Sequence, residues 1–272
     1  MVQDPCLIKA VTDPDKAIAE ARRLLESAES MLVLTGAGVS AESGVPTFRG
    51  PDGLWKNHRP EQLATPQAFR ADPRLVWEWY GWRRERVAAC RPNAAHEALA
   101  RLTLRDPRSR IVTQNVDGLH ELALDQAVAR DGADPTSQGA LPLELHGSLF
   151  RVRCVACRFR VGHRGPVDTT SEDSLPRCPE CDSLLRPDVV WFGESLEPMT
   201  LNAAVAAAET AEVCLVVGTS AVVHPAASLP LLTHRAGGVV VEVNPEPTPL
   251  SGVARMSFRA PAAEIVPRLL VW

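Results

Sequence analysis

Four cysteines form two pairs with the spacing of a metal site. Cys154 and Cys157 make one Cys-x-x-Cys pair, and Cys178 and Cys181 make the second. Four thiolates on two such turns can converge tetrahedrally on Zn²⁺, and four sulfur ligands leave no position open for a substrate. The spacing therefore predicts one structural zinc ion. The alternative, two redox-active dithiols, needs a low-pKa cysteine at the start of a helix, which the neighbouring Arg, Pro and Gly residues do not favour.

A glycine-rich turn follows a short apolar run and could bind a pyrophosphate. Residues 31–34 predict a buried strand, and Gly36, Gly38 and Ala41 then match the Gly-x-Gly-x-x-Gly/Ala pattern of dinucleotide-binding folds. A plain connection from strand to helix is the alternative for this pattern alone. Residues 43–50 add Pro, Phe and Arg where an ordinary helix would continue, which predicts a mobile cap over the ligand.

Polar residues follow the predicted strands at several places. Asn115 and Asp117 come after an apolar run at 111–113, and His146 ends a short strand pattern at 143–148. Ligands of open α/β sheets bind outside the carboxyl ends of the strands, so these side chains are candidates for one site. Asn and Asp also close turns through their own backbone, and a histidine that ends a buried strand is often structural. The position of the three residues favours the binding site.

The chain alternates helical and strand patterns, which is typical of an α/β fold with a parallel sheet. Helices are predicted at 13–27, 93–104 and 201–211, and further strands at 213–217 and 239–243. Residues 51–91 interrupt this alternation with an arginine-rich, aromatic-rich and helical segment, which predicts a lid or a separate small module.

Composition narrows the class of protein. The chain has 272 residues, of which 45% are hydrophobic and 23% charged, as in ordinary globular proteins. A net charge of −4 disfavours a nucleic-acid-binding surface. The sequence has no signal-peptide pattern and no apolar run long enough for a membrane span, and paired cysteines indicate a reducing compartment. We expect a monomeric, cytoplasmic protein with no direct nucleic-acid partner and no membrane association.

These motifs together resemble the sirtuins, the NAD-dependent protein lysine deacylases. The resemblance covers about residues 15–270, and the motifs occur in the order found in that family. They are residues 36–40 with 46–49, the loop 114–117, residues 145–147, the two cysteine pairs, and residues 190–194, 218–220 and 243–244.

The resemblance implies a large inverted-Rossmann domain, a small zinc-ribbon domain and a helical lid. We assign residues 1–50, 93–150 and 188–272 to the Rossmann-like NAD-binding domain, 51–92 to the lid and 151–187 to the zinc ribbon. In the family NAD is consumed: the acyl oxygen attacks C1′ of the nicotinamide ribose, and a histidine matching His146 acts as general base. The products are nicotinamide, deacylated lysine and O-acyl-ADP-ribose.

The resemblance also implies roles for single residues. Asn115 and Asp117 hold the nicotinamide end, Phe48 and Arg49 belong to the mobile loop, and Ala262 approaches adenine. Ser220 and Asn244 approach the phosphate and the adenosine ribose. The implied NAD-binding residues are Gly36, Ala37, Gly38, Ser40, Ala41, Pro46, Thr47, Phe48, Arg49, Trp55, Gln114, Asn115, Val116, Asp117, Gly218, Thr219, Ser220, Asn244, Pro245, Glu246 and Ala262.

Tyr80 and Arg83 lie three residues apart, so on a helix they share one face. Lid packing of the ring and a solvated arginine are the alternative reading. A Tyr-x-x-Arg pair in this lid resembles the class III sirtuins, which remove acidic acyl groups, and Ala64 would leave room for a longer chain. The resemblance thus predicts preference for succinyl-, malonyl- or glutaryl-lysine. It also implies that Val189 and Phe192 line the acyl tunnel, and that Phe192, Gly193 and Glu194 flank the acyl-lysine peptide.

Other functions remain as alternatives. A deacetylase-preferring sirtuin would share every motif except the use of the Tyr-x-x-Arg pair, and a protein ADP-ribosyltransferase would share the loss of nicotinamide. A dehydrogenase is disfavoured, because His58 and its neighbours stand where an acidic residue is expected about 20 positions past the glycine turn. A sensor that binds NAD without turnover is disfavoured by the joint presence of His146, Asn115 and Asp117.

Overall fold

The structure is a computed structural model that describes residues 14–45, 63–132 and 141–271. The predicted NAD-binding residues Pro46, Thr47, Phe48, Arg49 and Trp55 lie outside the described residues. Within these ranges no helix is long and apolar enough to cross a membrane.

Strands and helices alternate along most of the chain. The strands are β1 Met31–Thr35, β2 Ser109–Thr113, β3 Leu143–Glu144, β4 Gly147–Cys154, β5 Arg160–Gly162, β6 Leu185–Val189, β7 Val213–Val217, β8 Val239–Val243 and β9 Met256–Phe258. The helices are α1 Pro14–Ser27, α2 Gly38–Ala41, α3 Pro66–Ala71, α4 Pro73–Ala88, α5 Ala94–Arg105, α6 Leu119–Asp131, α7 Pro198–Thr210, α8 Leu229–Arg235 and α9 Ala262–Leu269, with a short 3-10 turn at Ala226–Ser228.

Six strands form a parallel sheet in the order β3-β2-β1-β7-β8-β9. Strands β1 and β7 are buried along their whole length, as expected for a sheet covered by helices on both faces. The chain runs outward from β1 to β3 and returns at β7, so the order reverses between β1 and β7. A ligand crevice is expected at the carboxyl ends of these two strands. The Rossmann-like fold class predicted from the sequence is confirmed.

The second sheet has three antiparallel strands in the order β5-β4-β6. It shares one hydrophobic core with the described part of the predicted lid: Trp77 and Tyr80 of α4 pack with Leu149, Val152 and other apolar residues of β4 and β6. The lid helices and the cysteine-bearing sheet therefore support each other. The exact domain boundaries stay a prediction.

The main difference from the predicted elements lies around His146. The predicted strand at 143–148 is two strands, because β3 ends at Glu144 and β4 begins at Gly147. Gly147 has φ +80°, and a Cβ at this position would lie 2.0 Å from the backbone oxygen of Asp188. The backbone thus turns between the two sheets at this glycine, and His146 lies at the turn.

Candidate active site

Two glycine turns meet at the reversal of strand order. The N–H of Gly38 donates to the backbone oxygen of Gly218 at 2.7 Å, and the N–H of Gly36 donates to Val217 at 3.1 Å. A Cβ on Gly36 would lie 2.7 Å from Thr219 Cβ, and one on Gly38 would lie 2.7 Å from the Gly218 oxygen. From the sequence, the predicted role of these glycines is to let the backbone approach a pyrophosphate. The structure adds that the two turns pack backbone against backbone, which only glycine allows.

Ser40 connects the glycine turn to the loop after β2. Its buried hydroxyl donates to Asp117 Oδ2 at 2.8 Å and accepts from Asn115 Nδ2 at 3.1 Å. The other carboxylate oxygen of Asp117 accepts from the backbone N–H of Leu119 at 2.9 Å, so Asp117 also closes the turn into α6. Burial raises the pKa of Asp117, although these hydrogen bonds oppose the shift. The structure therefore brings the two predicted nicotinamide residues together on one serine.

His146 is held in one tautomer. Its Nδ1 lies 2.9 Å from the backbone oxygen of Gln114, and a carbonyl oxygen only accepts, so Nδ1 carries the proton. Nε2 is then the nitrogen with the free lone pair, as a general base requires. Burial lowers the pKa of His146, which keeps the ring neutral near pH 7. Gln114 also donates to Thr219 Oγ1 at 3.0 Å and so links the loops after β2 and β7.

Two buried histidines behind the site were not predicted from the sequence. His96 Nε2 lies 3.3 Å from Ser40 Oγ, and His120 Nε2 lies 2.9 Å from Thr35 Oγ1. Burial lowers the pKa of His96 to about 2 and that of His120 to about 4, so both rings are neutral. The sequence signal for His96 is its place three residues after Asn93, since the two form a capping box at the start of α5. His120 has no comparable sequence signal.

The residues predicted to approach the phosphate and the adenosine lie after three neighbouring strands, β7, β8 and β9. Asn244 is half-buried and its Nδ2 donates to the backbone oxygen of Glu246 at 2.7 Å, whereas Ser220, Pro245 and Glu246 are exposed. Ala262 is buried at the first position of α9. The next backbone N–H donates to Glu42 of the glycine turn at 2.8 Å. These segments therefore lie at the carboxyl ends of the parallel strands, where the glycine turns also lie.

Tyr80 and Arg83 lie side by side on α4, as predicted, and both are buried. The guanidinium carbon of Arg83 lies 5.3 Å from the Tyr80 ring centre and 4.6 Å from that of Trp79. The Tyr80 hydroxyl oxygen accepts from the Trp191 indole N–H at 2.8 Å. The ring packs in the lid and the two side chains pair, but the alternative of a solvated arginine is wrong, because Arg83 is buried by its own helix and its neighbours. Burial lowers the pKa of Arg83 from its usual value, but a guanidinium stays protonated at neutral pH.

The predicted peptide-side residues differ in their exposure. Phe192 is 56% exposed, and its backbone N–H donates to the oxygen of buried Ala64 at 2.9 Å. Gly193 has φ +83° and is exposed. Val189 packs in the core shared by α4 and the second sheet. The Glu194 carboxylate is held in ion pairs with arginines of that sheet, so its side chain has a structural role.

The four paired cysteines form one cluster. Their sulfur atoms all lie within 4.8 Å of one another, and none of the four is in a disulfide. The sulfurs of Cys154 and Cys181 are 3.4 Å apart and those of Cys157 and Cys178 are 3.5 Å apart. A tetrahedral zinc with bonds of about 2.3 Å needs about 3.8 Å between sulfurs, so the cluster fits the ion. Backbone N–H groups of Ala156 and other residues donate to the sulfurs, as is usual for thiolate ligands.

Comparison with known proteins agrees with this geometry. The profile of the Sir2 family matches residues 36–225. A relative from Pyrococcus furiosus, named NAD-dependent protein deacylase, is 45% identical over 93% of this chain and 96% of its own. A crystal structure of a Sir2 homologue with NAD is 45% identical and aligns with a TM-score of 0.82 over 93% of this chain and 92% of its own. A Sir2 structure with a p53 peptide and NAD⁺ is 30% identical, with a TM-score of 0.78 over 93% of this chain and 97% of its own.

The parallel sheet, with its ligand crevice where the strand order reverses, is that of a dinucleotide-binding α/β protein, and the second sheet adds a four-cysteine site. The chain belongs to the Sir2 family. It is therefore an NAD-dependent protein deacylase, with NAD as its co-substrate and a structural zinc site formed by the four paired cysteines.

Proposed function

We propose that this deacylase prefers lysines that carry acidic acyl groups, namely succinyl, malonyl or glutaryl, and that it removes acetyl groups more slowly. The observation that supports this is the buried Tyr80 and Arg83 pair on α4. A guanidinium in a largely dry site attracts a carboxylate strongly, and the planar fork can bind it in two places. An acetyl group offers no charge to this pair, so the pair discriminates by charge.

The same proposal gives the remaining site residues their roles. NAD supplies a leaving group, nicotinamide, and a ribose carbon that accepts the acyl oxygen. His146 takes a proton from a ribose hydroxyl through Nε2, because Nδ1 is occupied by the Gln114 oxygen. Asn115 and Asp117, anchored on Ser40, hold the nicotinamide end. The rate enhancement then comes from positioning in a site from which water is excluded.

The acyl-lysine peptide binds as an extended strand beside Phe192 and Gly193 and the loop after Ser220. Exposed apolar side chains support this placement, among them Phe192, Val222 and Val223. Backbone pairing of this kind selects little among side chains, so a broad range of target proteins is expected. A monomeric state stays a prediction. A cytoplasmic location also stays a prediction, supported by the free cysteines of the described residues.

The test compares acetyl- and succinyl-lysine versions of one peptide with NAD, in the wild type, Arg83→Met and Arg86→Met. Arg86 is the matched control because it is exposed on the same helix and stacks on Trp82 instead. We expect Arg83→Met to lower kcat/KM for the succinyl peptide about 10- to 100-fold, as for the loss of hydrogen bonds to a charged group, and to change the acetyl value far less. Arg86→Met should behave as the wild type.

The alternatives give different results in the same assay. Equal losses on both peptides in Arg83→Met would contradict the role of Arg83. A wild type that favours the acetyl peptide would indicate the deacetylase-preferring alternative. Release of nicotinamide with ADP-ribose added to the protein, detected by its mass, would indicate ADP-ribosyl transfer.

A further inference from the structure

The Tyr80 hydroxyl accepts a hydrogen bond from a buried indole. Its oxygen accepts from Trp191 Nε1 at 2.8 Å, and both side chains are almost fully buried. The Arg83 guanidinium carbon lies 5.3 Å from the centre of the same phenol ring. An indole N–H only donates, so this hydrogen bond uses a lone pair of the phenol oxygen. The hydroxyl proton is then left to donate to a third group.

We infer that Trp191 is a positioning residue for acyl selectivity: its indole N–H orients the Tyr80 hydroxyl so that the phenol donates its proton to the carboxylate of an acidic acyl chain. The inference rests on the proposed function for the identity of that carboxylate. Without the indole, the phenol can rotate its proton toward other acceptors or accept a hydrogen bond from water. Arg83 would then bind the acyl carboxylate alone.

Trp191 is held in place from the cysteine-bearing sheet. The Arg186 guanidinium carbon of β6 lies 3.6 Å from the centre of the indole ring, within the range of a cation–π contact. The Trp191 backbone N–H donates to Glu194 Oε2 at 2.8 Å. Glu194 in turn accepts from Arg186 at 2.7 Å and from Arg153 of β4 at 3.0 Å. Arg186 thus holds one face of the indole ring, and Glu194 holds the Trp191 backbone. The indole N–H therefore points in one fixed direction.

The first test measures the ratio of kcat/KM for succinyl- and acetyl-lysine peptides in Trp191→Phe and Trp77→Phe. Trp77 is the matched control, since its indole is equally buried and makes one hydrogen bond, to the Leu185 backbone oxygen at 3.0 Å. We expect Trp191→Phe to lower the ratio about 5-fold, as for one neutral hydrogen bond. Trp77→Phe should leave the ratio unchanged. Equal changes of the ratio in the two variants would overturn the inference.

A double-mutant cycle with Tyr80→Phe separates positioning from simple packing. If Trp191 acts through the phenol hydroxyl, Trp191→Phe has little further effect on the ratio once that hydroxyl is gone. Independent, multiplying effects of the two substitutions would contradict the inference. If Trp191→Phe does not fold, Arg186→Lys provides the test, because it keeps the charge but removes the planar contact with the ring. It should lower the ratio in the same direction.

A spectroscopic test does not depend on the acyl preference. Tyr80 is the only tyrosine in the chain, so tyrosine isotope-labelled at Cζ gives one NMR resonance that reports on this hydroxyl. We expect Trp191→Phe to shift that resonance and Trp77→Phe to leave it in place. A wild type without preference for the succinyl peptide would reject the proposed function. An unshifted resonance in Trp191→Phe would reject the positioning role.

Discussion

At the residue scale, some side chains have a chemistry for which almost no other residue can substitute. The four cysteines and the glycines of the first turn belong to this group, because a metal and a tight turn leave little choice of residue. His96 and His120 do not. Their neutral state depends on burial behind Ser40 and Thr35, and burial comes from helices far apart in the sequence.

The first prediction concerns His146. His146→Asn keeps a side chain that can donate to the Gln114 oxygen but removes the base, so we expect kcat for deacylation to fall about 10²- to 10⁴-fold. Burial lowers the pKa of His146, so the base stays neutral and active below the ordinary histidine value of about 6.5. The acid limb of kcat/KM against pH should therefore have its midpoint below 6.5 in the wild type and be absent in the variant. NAD binding, measured by calorimetry, serves as the control and should be retained. An unchanged kcat would rule out this mechanism.

The second prediction concerns pH and stability. His120 has a folded pKa of about 4, below its unfolded value, so the unfolded state binds the extra proton first as the pH falls. His120 therefore supports folding fully above pH 6.5 and loses this contribution as the pH falls toward 4. We expect the slope of unfolding free energy against pH in this window to decrease by about 1.4 kcal/mol per pH unit in His120→Asn. Urea unfolding at several pH values measures it.

The difference in pH dependence between the wild type and His120→Asn isolates the contribution of His120 to the unfolding free energy. Burial raises the pKa of Glu144 to about 7, so this carboxyl changes stability in the opposite direction over the same pH range. That effect is common to both proteins and cancels. Parallel lines for the two proteins would show that His120 takes up its proton equally in the folded and unfolded chains.

At the element scale, the central strands β1, β7 and β8 were predicted because each is a short run of mostly apolar residues. The short strand β9 was not predicted. Strands β7 and β8 have the predicted bounds. The segment around His146 was predicted as one strand, because local pattern does not show that the chain passes from one sheet to another at Gly147. Only the close approach of Asp188, forty-one residues later, explains the break.

The third prediction concerns the contact between the two glycine turns. A Cβ on Gly38 would meet the Gly218 oxygen at 2.7 Å and its Cα at 2.8 Å, and backbone cannot move aside as a side chain does. We expect Gly38→Ala to destabilise the fold by about 1–3 kcal/mol and to raise the KM for NAD. Gly252→Ala is the control, because a Cβ there has no atom within 4 Å. Equal stability of the two variants in urea unfolding would show that the turns can separate.

At the scale of the whole molecule, the order of motifs predicted a nucleotide-binding sheet, a zinc module and a lid. It did not predict that α4 and the cysteine-bearing sheet share one core, because apolar residues of the two segments meet only in the fold. That shared core connects the metal to the catalytic side. Strands β4 and β6 run between the cysteine cluster and His146, whose backbone oxygen accepts from the Val190 N–H at 2.9 Å.

The last prediction follows from that connection. Zinc binding in such modules contributes on the order of 10 kcal/mol, so its loss should loosen β4, β5 and β6 together. In Cys178→Ser we expect zinc content to fall, hydrogen exchange in these strands to increase and deacylation to be lost. Exchange in β1 and β7 should stay slow, because the parallel sheet has apolar cores of its own. Cys90→Ser, outside the cluster, is the control and should change none of these. Full activity in a zinc-free Cys178→Ser protein would show that the cysteine-bearing sheet does not shape the site.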